Sequence, residues 1–188
     1  DRGARMVCST CSKNLFRNNY VIALTGKAYA GKSSVADFFE SELKLRGIAV
    51  ERMPFAGPMK ELARQFGWDG KKDEKGRRFL QLLGTDIGRA YNENHWVDTW
   101  LRRVESLPRN TVVIVDDMRY QNELEAVQQF QHTIMVVKAG VEVRTERAKA
   151  KGEKPPPSHS SEAGLDLGSV WYNEVRNSYA SPEELGAQ

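Results

Sequence analysis

The chain has 188 residues, 40% apolar and 28% charged, with 28 Lys and Arg against 25 Asp and Glu for a formal net charge of +3. That suits one ordinary soluble α/β domain rather than two. No apolar run approaches the roughly 18 residues of a membrane span, two cysteines make no disulfide framework, and so mild a positive excess does not suggest a nucleic-acid polymer as partner. The N-terminus lacks a signal-peptide layout, so a cytoplasmic location is expected.

Residues 1–19 carry scattered basic and polar side chains without periodicity and read as an arm ahead of a domain at 20–188. Cys8 and Cys11 have the spacing of half a zinc site, but His95, His132 and His159 complete no recognisable ligand set, so two ordinary thiols are expected. Tyr20–Thr25 is a short apolar run suited to a strand buried on both faces. Val35, Phe39 and Leu43 then recur at helical spacing until Gly47 stops the pattern. Residues 48–53 read as a second strand. Pro58 opens a helix expected to bury Met59, Leu62, Ala63 and Phe66, and Gly67 closes it.

Residues 68–78 read as a polar loop. Phe79, Leu80, Leu83 and Ile87 mark the next helix, and Trp96, Val97, Trp100, Leu101 and Val104 mark another. Residues 111–115 form the clearest strand, running directly into Asp116 and Asp117. A helix at about 122–130 leads to a strand at 133–137. Residues 141–154 are helical in propensity but poor in apolar side chains, the prolines at 155–157 break them, and a weak strand follows near Val175. Strands alternating with helices predict right-handed βαβ units around a parallel sheet.

Gly26-Lys27-Ala28-Tyr29-Ala30-Gly31-Lys32-Ser33 fits G-x-x-x-x-G-K-[ST] in full, between a predicted strand and a predicted helix. Glycine lets the backbone curl so that successive amides face a phosphate, and the helix N-terminus adds its positive end. Lys32 would reach the β and γ phosphates of ATP, Ser33 would ligate Mg2+, and Ser34 follows in the same turn. A carboxylate at the end of an apolar strand is where such a fold holds its magnesium. Alternation puts Asp116 and Asp117 on opposite sides, so one of the two is expected to serve. Arg119 shares the side of Asp117 and suits either a phosphate or a surface salt bridge. Arg144 and Arg147 share one helix face, as lid cations over the transferred group or as a solvated face. On the acceptor side stand Lys60, Gln81, Asp86 and Arg89; Trp96 suits either base stacking or the core, and Trp100 suits the core.

These motifs resemble the deoxynucleoside monophosphate kinases of bacterial viruses, from about Tyr20 to Leu185. The resemblance rests less on the phosphate loop than on the helix that contains Trp96 and four other stretches. They are Pro54-Phe-Ala-Gly-Pro-Met-Lys60, Gly76-Arg-Arg-Phe-Leu-Gln-Leu-Leu-Gly-Thr-Asp-Ile-Gly-Arg89, Asp117-Met-Arg119-Tyr-Gln-Asn122-Glu123 and His159-Ser-Ser-Glu162. It implies a three-layer P-loop kinase fold, α/β with a mostly parallel sheet, an acceptor region after the second strand and a short helical lid. It further implies that Lys32 and Ser33 work on ATP·Mg, that Asp117 and Arg119 form the site after the strand, and that Arg144 or Arg147 belongs to the lid. The arm at 1–19 has no family counterpart, and Arg176 stands where the last strand would be apolar.

The expected reaction is in-line transfer of the γ-phosphoryl group of ATP to a (deoxy)nucleoside monophosphate. Lys32, Arg119 and the lid arginines Arg144 and Arg147 would stabilise charge, and Lys60, Gln81, Asp86, Arg89, Trp96 and Arg119 would hold the acceptor. The expected partners are these two small molecules, with no polymer or membrane; a homodimer is left open. Ser161-Glu-Ala-Gly-Leu-Asp166 is similar to a segment of animal-type phosphomevalonate kinase, so another phosphorylated metabolite is an alternative acceptor. A nucleotide-binding module without transfer is the other alternative.

Overall fold

The computed structural model describes residues 19–71, 73–152 and 165–177. Cys8 and Cys11, the prolines at 155–157 and the segment 159–162 lie outside the described residues.

The run Tyr20–Thr25 forms β1 and is buried from its second residue onward. In order follow α1 (Lys32–Leu45), β2 (Val50–Arg52), α2 (Gly57–Gln65), α3 (Glu74–Gln81), a π-helical stretch (Leu82–Arg89), α4 (His95–Glu105), β3 (Val112–Val115), α5 (Gln121–Val127), β4 (Gln131–Lys138), α6 (Val141–Ala150) and β5 (Asn173–Arg176). The sheet order is β2-β3-β1-β4-β5, and every pairing is parallel. Parallel neighbours require crossovers, and helices supply them on both faces. Alternation then divides the core. Val21, Ala23, Val113 and Val115 pack with Trp100, Val104, Leu124 and Val127 on one face. Ile22, Leu24 and Ile114 pack with Val35, Ala36 and Val137 on the other. The expected three-layer α/β architecture is therefore present. No helix among the described residues is long and apolar enough to cross a membrane.

Several local expectations shift. The predicted loop at 68–78 ends early because Asp73 caps a helix, its carboxylate accepting the Gly76 N–H at 2.8 Å. The helix expected around residues 79–87 does not keep a 3.6-residue period: it widens at Leu82, and the changed register turns Ile87 outward to 62% exposure while Leu83 and Gly84 stay buried. On α2, Ala63 is buried and Met59 and Leu62 are half-buried as expected, but Phe66 is 69% exposed and Pro58 is buried in addition. α4 buries Trp96, Val97, Trp100 and Val104 as its spacing predicts, and α6 buries only Ala148, in keeping with its polar sequence.

Candidate active site

β1 sits in the middle of the sheet, so the loop leaving its C-terminal end stands over the site where open parallel sheets bind ligands. Gly26 (φ 141°) begins that loop, and a Cβ there would lie 2.2 Å from the Val137 carbonyl oxygen. Only glycine lets the chain pass so close to β4. Tyr29 (φ 61°) and Gly31 (φ 91°) are both left-handed, and the Ala30 N–H donates to the Lys27 oxygen at 3.2 Å. This is the curl that turns successive amides to one side. α1 starts at Lys32 with Gly31 as its N-cap and no side-chain cap. The Lys32 ammonium donates to the oxygens of Gly26 at 2.7 Å and Lys27 at 3.1 Å, and so lies over the start of the loop. Ala28 and Ser34 are half-buried along it.

The two aspartates after β3 part company as strand alternation requires. Asp116 faces the loop: Ser33 Oγ donates to its carboxylate at 3.3 Å, and Arg52 donates to the same oxygen at 2.5 Å. Arg52, the last residue of β2, also pairs with Asp37 on α1 and reaches the Ser33 carbonyl oxygen at 3.5 Å. Burial works against its charge, but the bonds to Asp116 and Asp37 outweigh that and push its pKa up. No motif marks Arg52; only the pairing of β2 beside β3 brings it here.

Asp117 faces the other way, accepting the N–H groups of Phe55 at 2.8 Å and Ala56 at 3.0 Å, between β2 and α2. Burial pushes its carboxyl above the usual range; those two bonds oppose the shift, and neighbouring Asp116 adds to it. Of the two candidate magnesium residues, the structure brings Asp116 together with Ser33 and places Asp117 on main-chain amides. A hydroxyl and a carboxylate are the hard oxygen donors that Mg2+ takes. The described residues contain no group of three or more His, Cys, Asp or Glu able to hold a metal, and Mg2+ ordinarily fills out so small a set of protein donors with waters and substrate phosphates.

Of the residues expected to hold an acceptor, Lys60 is half-buried on α2 and its charge favours ionised Asp117. Glu123, 3% exposed, gathers the neighbouring groups: it accepts from the Arg119 N–H at 2.7 Å, the Tyr120 N–H at 3.1 Å and the Arg89 guanidinium at 2.8 Å. Arg89 also lies over the Tyr120 ring, 3.8 Å from its centroid. Arg119 touches Glu123 through its main chain, and the residue is exposed. Gln81 and Asp86 are exposed on α3 and the π-helical stretch. Trp96 is 5% exposed; its indole N–H donates to Gly84 O at 2.9 Å, and a Cβ on Gly88 would meet its ring at 2.8 Å. Packing thus takes most of the surface that base stacking would have needed.

The two arginines expected on a lid separate as well. Arg147 does not stand over the loop as an open cation: it donates to the carbonyl oxygens of Tyr29 and Ala30, both at 3.2 Å, and to Asn177 Oδ1 at 3.1 Å. Burial lowers its pKa from the ordinary value. Arg144, one turn earlier and half-buried, belongs to the same helix.

Among solved structures, TT1252 from Thermus thermophilus is 21% identical, with 90% of this chain and 93% of that one covered and a TM-score of 0.50; the likeness speaks to the fold alone. The APS kinase CysC of Mycobacterium tuberculosis, solved with AMPPNP and APS, is 12% identical over 90% of this chain and 95% of its own, with a TM-score of 0.47. No curated protein matches. The model of the deoxynucleotide monophosphate kinase family matches residues 61–170, which begin beyond the phosphate loop and Lys60 and take in Arg89, Arg119 and both aspartates. Since that match takes in more than half of the 188 residues without drawing on the widely shared loop, the chain belongs to the deoxynucleotide monophosphate kinase family and is a nucleotide kinase.

Proposed function

We propose that this kinase moves the γ-phosphoryl group of ATP onto the phosphate of a deoxynucleoside monophosphate. One observation carries the reading: the Ser33 hydroxyl meets Asp116 at 3.3 Å beside the loop, while adjacent Asp117 ties Phe55 and Ala56 to the same strand end. Donor and acceptor segments are thereby joined through two consecutive residues.

The loop amides and Lys32 bind the β and γ phosphates and orient the γ-phosphorus toward the acceptor. Ser33 and Asp116 would hold Mg2+, which would supply positive charge to offset that of the phosphates. Lys60, Arg89 and Arg119, with Gln81 and Asp86 nearby, are the groups proposed to position the acceptor, and Arg144 is the proposed lid cation. A phosphate monoester loses its second proton at about pH 6, so its oxygen is already ionised near neutrality and needs no general base. Charge stabilisation and alignment are then the whole task of the protein.

A panel assay with ATP, Mg2+ and deoxynucleoside monophosphates, ribonucleoside monophosphates and phosphomevalonate tests the proposal. Acceptor-dependent ADP formation with the deoxynucleotides is expected. Turnover with phosphomevalonate alone, or nucleotide binding without turnover across the panel, would overturn it.

A further inference from the structure

We propose that Asn177 and Arg147 brace the phosphate loop from behind and that Asn177 is a positioning residue for nucleotide binding; the inference rests on residues 26–33 being the nucleotide cradle. When the amides of a loop turn to one side, its carbonyls turn to the other and need donors of their own. Arg147 supplies them for Tyr29 and Ala30, at 3.2 Å each. Its second terminal nitrogen donates to the Asn177 side-chain oxygen at 3.1 Å. The Asn177 amide in turn donates to the Gly31 oxygen at 3.4 Å, which also takes the Val35 N–H at 3.1 Å. Three consecutive carbonyls are thus held by two side chains from distant parts of the chain.

Asn177 is itself well fixed. It is 4% exposed, and its backbone N–H donates to Lys138 O at 2.8 Å, carrying the pairing of β4 and β5 one residue further. The fit against the loop is close: a Cβ on Gly31 would stand 2.0 Å from the Asn177 amide nitrogen and 3.2 Å from the Arg147 guanidinium. A side chain at position 31 would therefore displace the asparagine from the loop.

The amide does both jobs through two separate atoms, its oxygen accepting from a guanidinium while its nitrogen donates to a carbonyl. A carboxylate keeps the first bond but sets like-charged oxygens against Gly31 O, and adds negative charge beside a cradle meant for a polyanion. A serine is too short to span the two partners. Through Arg147, α6 is fastened to the loop that it was expected to cover.

Calorimetric titration of the full chain with ADP·Mg, alongside separate KM values for ATP and acceptor and a melting curve, tests the brace. Asn177→Asp is expected to raise the ADP Kd and the ATP KM by about tenfold, with the acceptor KM within about twofold of wild type. Asn177→Ser is neutral and smaller; it is expected to weaken ADP by about threefold and decides the matter should the aspartate variant fail to fold. Unchanged ADP affinity in the folded variants, or an acceptor KM rising in step with that for ATP, would overturn the brace. A wild-type chain that takes up no ADP would overturn the cradle itself, a different failure visible in the same titration.

Discussion

The phosphate loop and the turn beneath Trp96 are both built around glycine, for different reasons. At Gly26 and Gly31 the backbone takes φ values of 141° and 91°, which side chains resist, so glycine answers a demand of the loop's own geometry. Gly84 and Gly88 lie within the π-helical stretch without a positive φ and leave room for visitors: a Cβ would stand 2.4 Å from Met59 Sδ at the first and 2.8 Å from the Trp96 ring at the second. The first kind of glycine belongs to a contiguous motif and shows itself in the chain. The second kind has meaning only once α2 and α4 are in place.

The sharpest way to break the contrast is at the loop. Lys32→Ala is expected to cut kcat/KM by about 10³-fold or more, because it removes a charge aimed at the transferred group, while the melting temperature holds. An active variant in a single-turnover assay would sink the proposed mechanism. Asp117→Ala attacks the link between the end of β3 and the start of α2. It leaves the N–H groups of Phe55 and Ala56 without their acceptor, at about 2–4 kcal/mol in denaturant unfolding, and is expected to raise the acceptor KM more than the ATP KM.

Gly88→Ala tests the second kind of glycine, and overpacking against Trp96 is expected to cost about 1–3 kcal/mol. An unfolding midpoint equal to wild type would mean that the ring yields freely. Glu123→Gln is the mildest change, and its signature is pH dependence. Burial raises the Glu123 carboxyl above its ordinary 4.5, against the pull of the Arg119 amide and Arg89. The folded chain therefore holds a proton that the unfolded chain releases. That contribution to stability is complete below about pH 4.5 and is lost as pH rises through the elevated value. Melting curves across this window should fall more steeply for wild type than for Glu123→Gln; parallel curves would contradict the assignment.

Legibility followed the range of the interactions. Strand Tyr20–Thr25 and the motif after it could be read because apolar runs and glycine spacing report backbone behaviour directly. The buried face of α4 was equally plain, since a regular helix keeps its period. Ile87 was misplaced because the π-helical stretch breaks that period. The Asp73 cap could have been found, since an aspartate directly before the acidic first turn of a helix is a recognised start signal. Arg52 left no comparable trace, because nothing in the residues around it says that β2 will lie next to β3.

By itself, then, the amino-acid order determined the alternation of strands and helices, the phosphate loop and the placing of two carboxylates at the end of β3. All of these depend on steric preference and periodicity within a few residues. Folding alone decided that Asp116 meets Ser33 while Asp117 ties down Phe55 and Ala56, that Arg52 joins the loop side, and that Arg147 reaches under the loop with Asn177. Each of those pairings spans many residues, and a polar side chain selects its partner by geometry that exists only after the sheet has assembled.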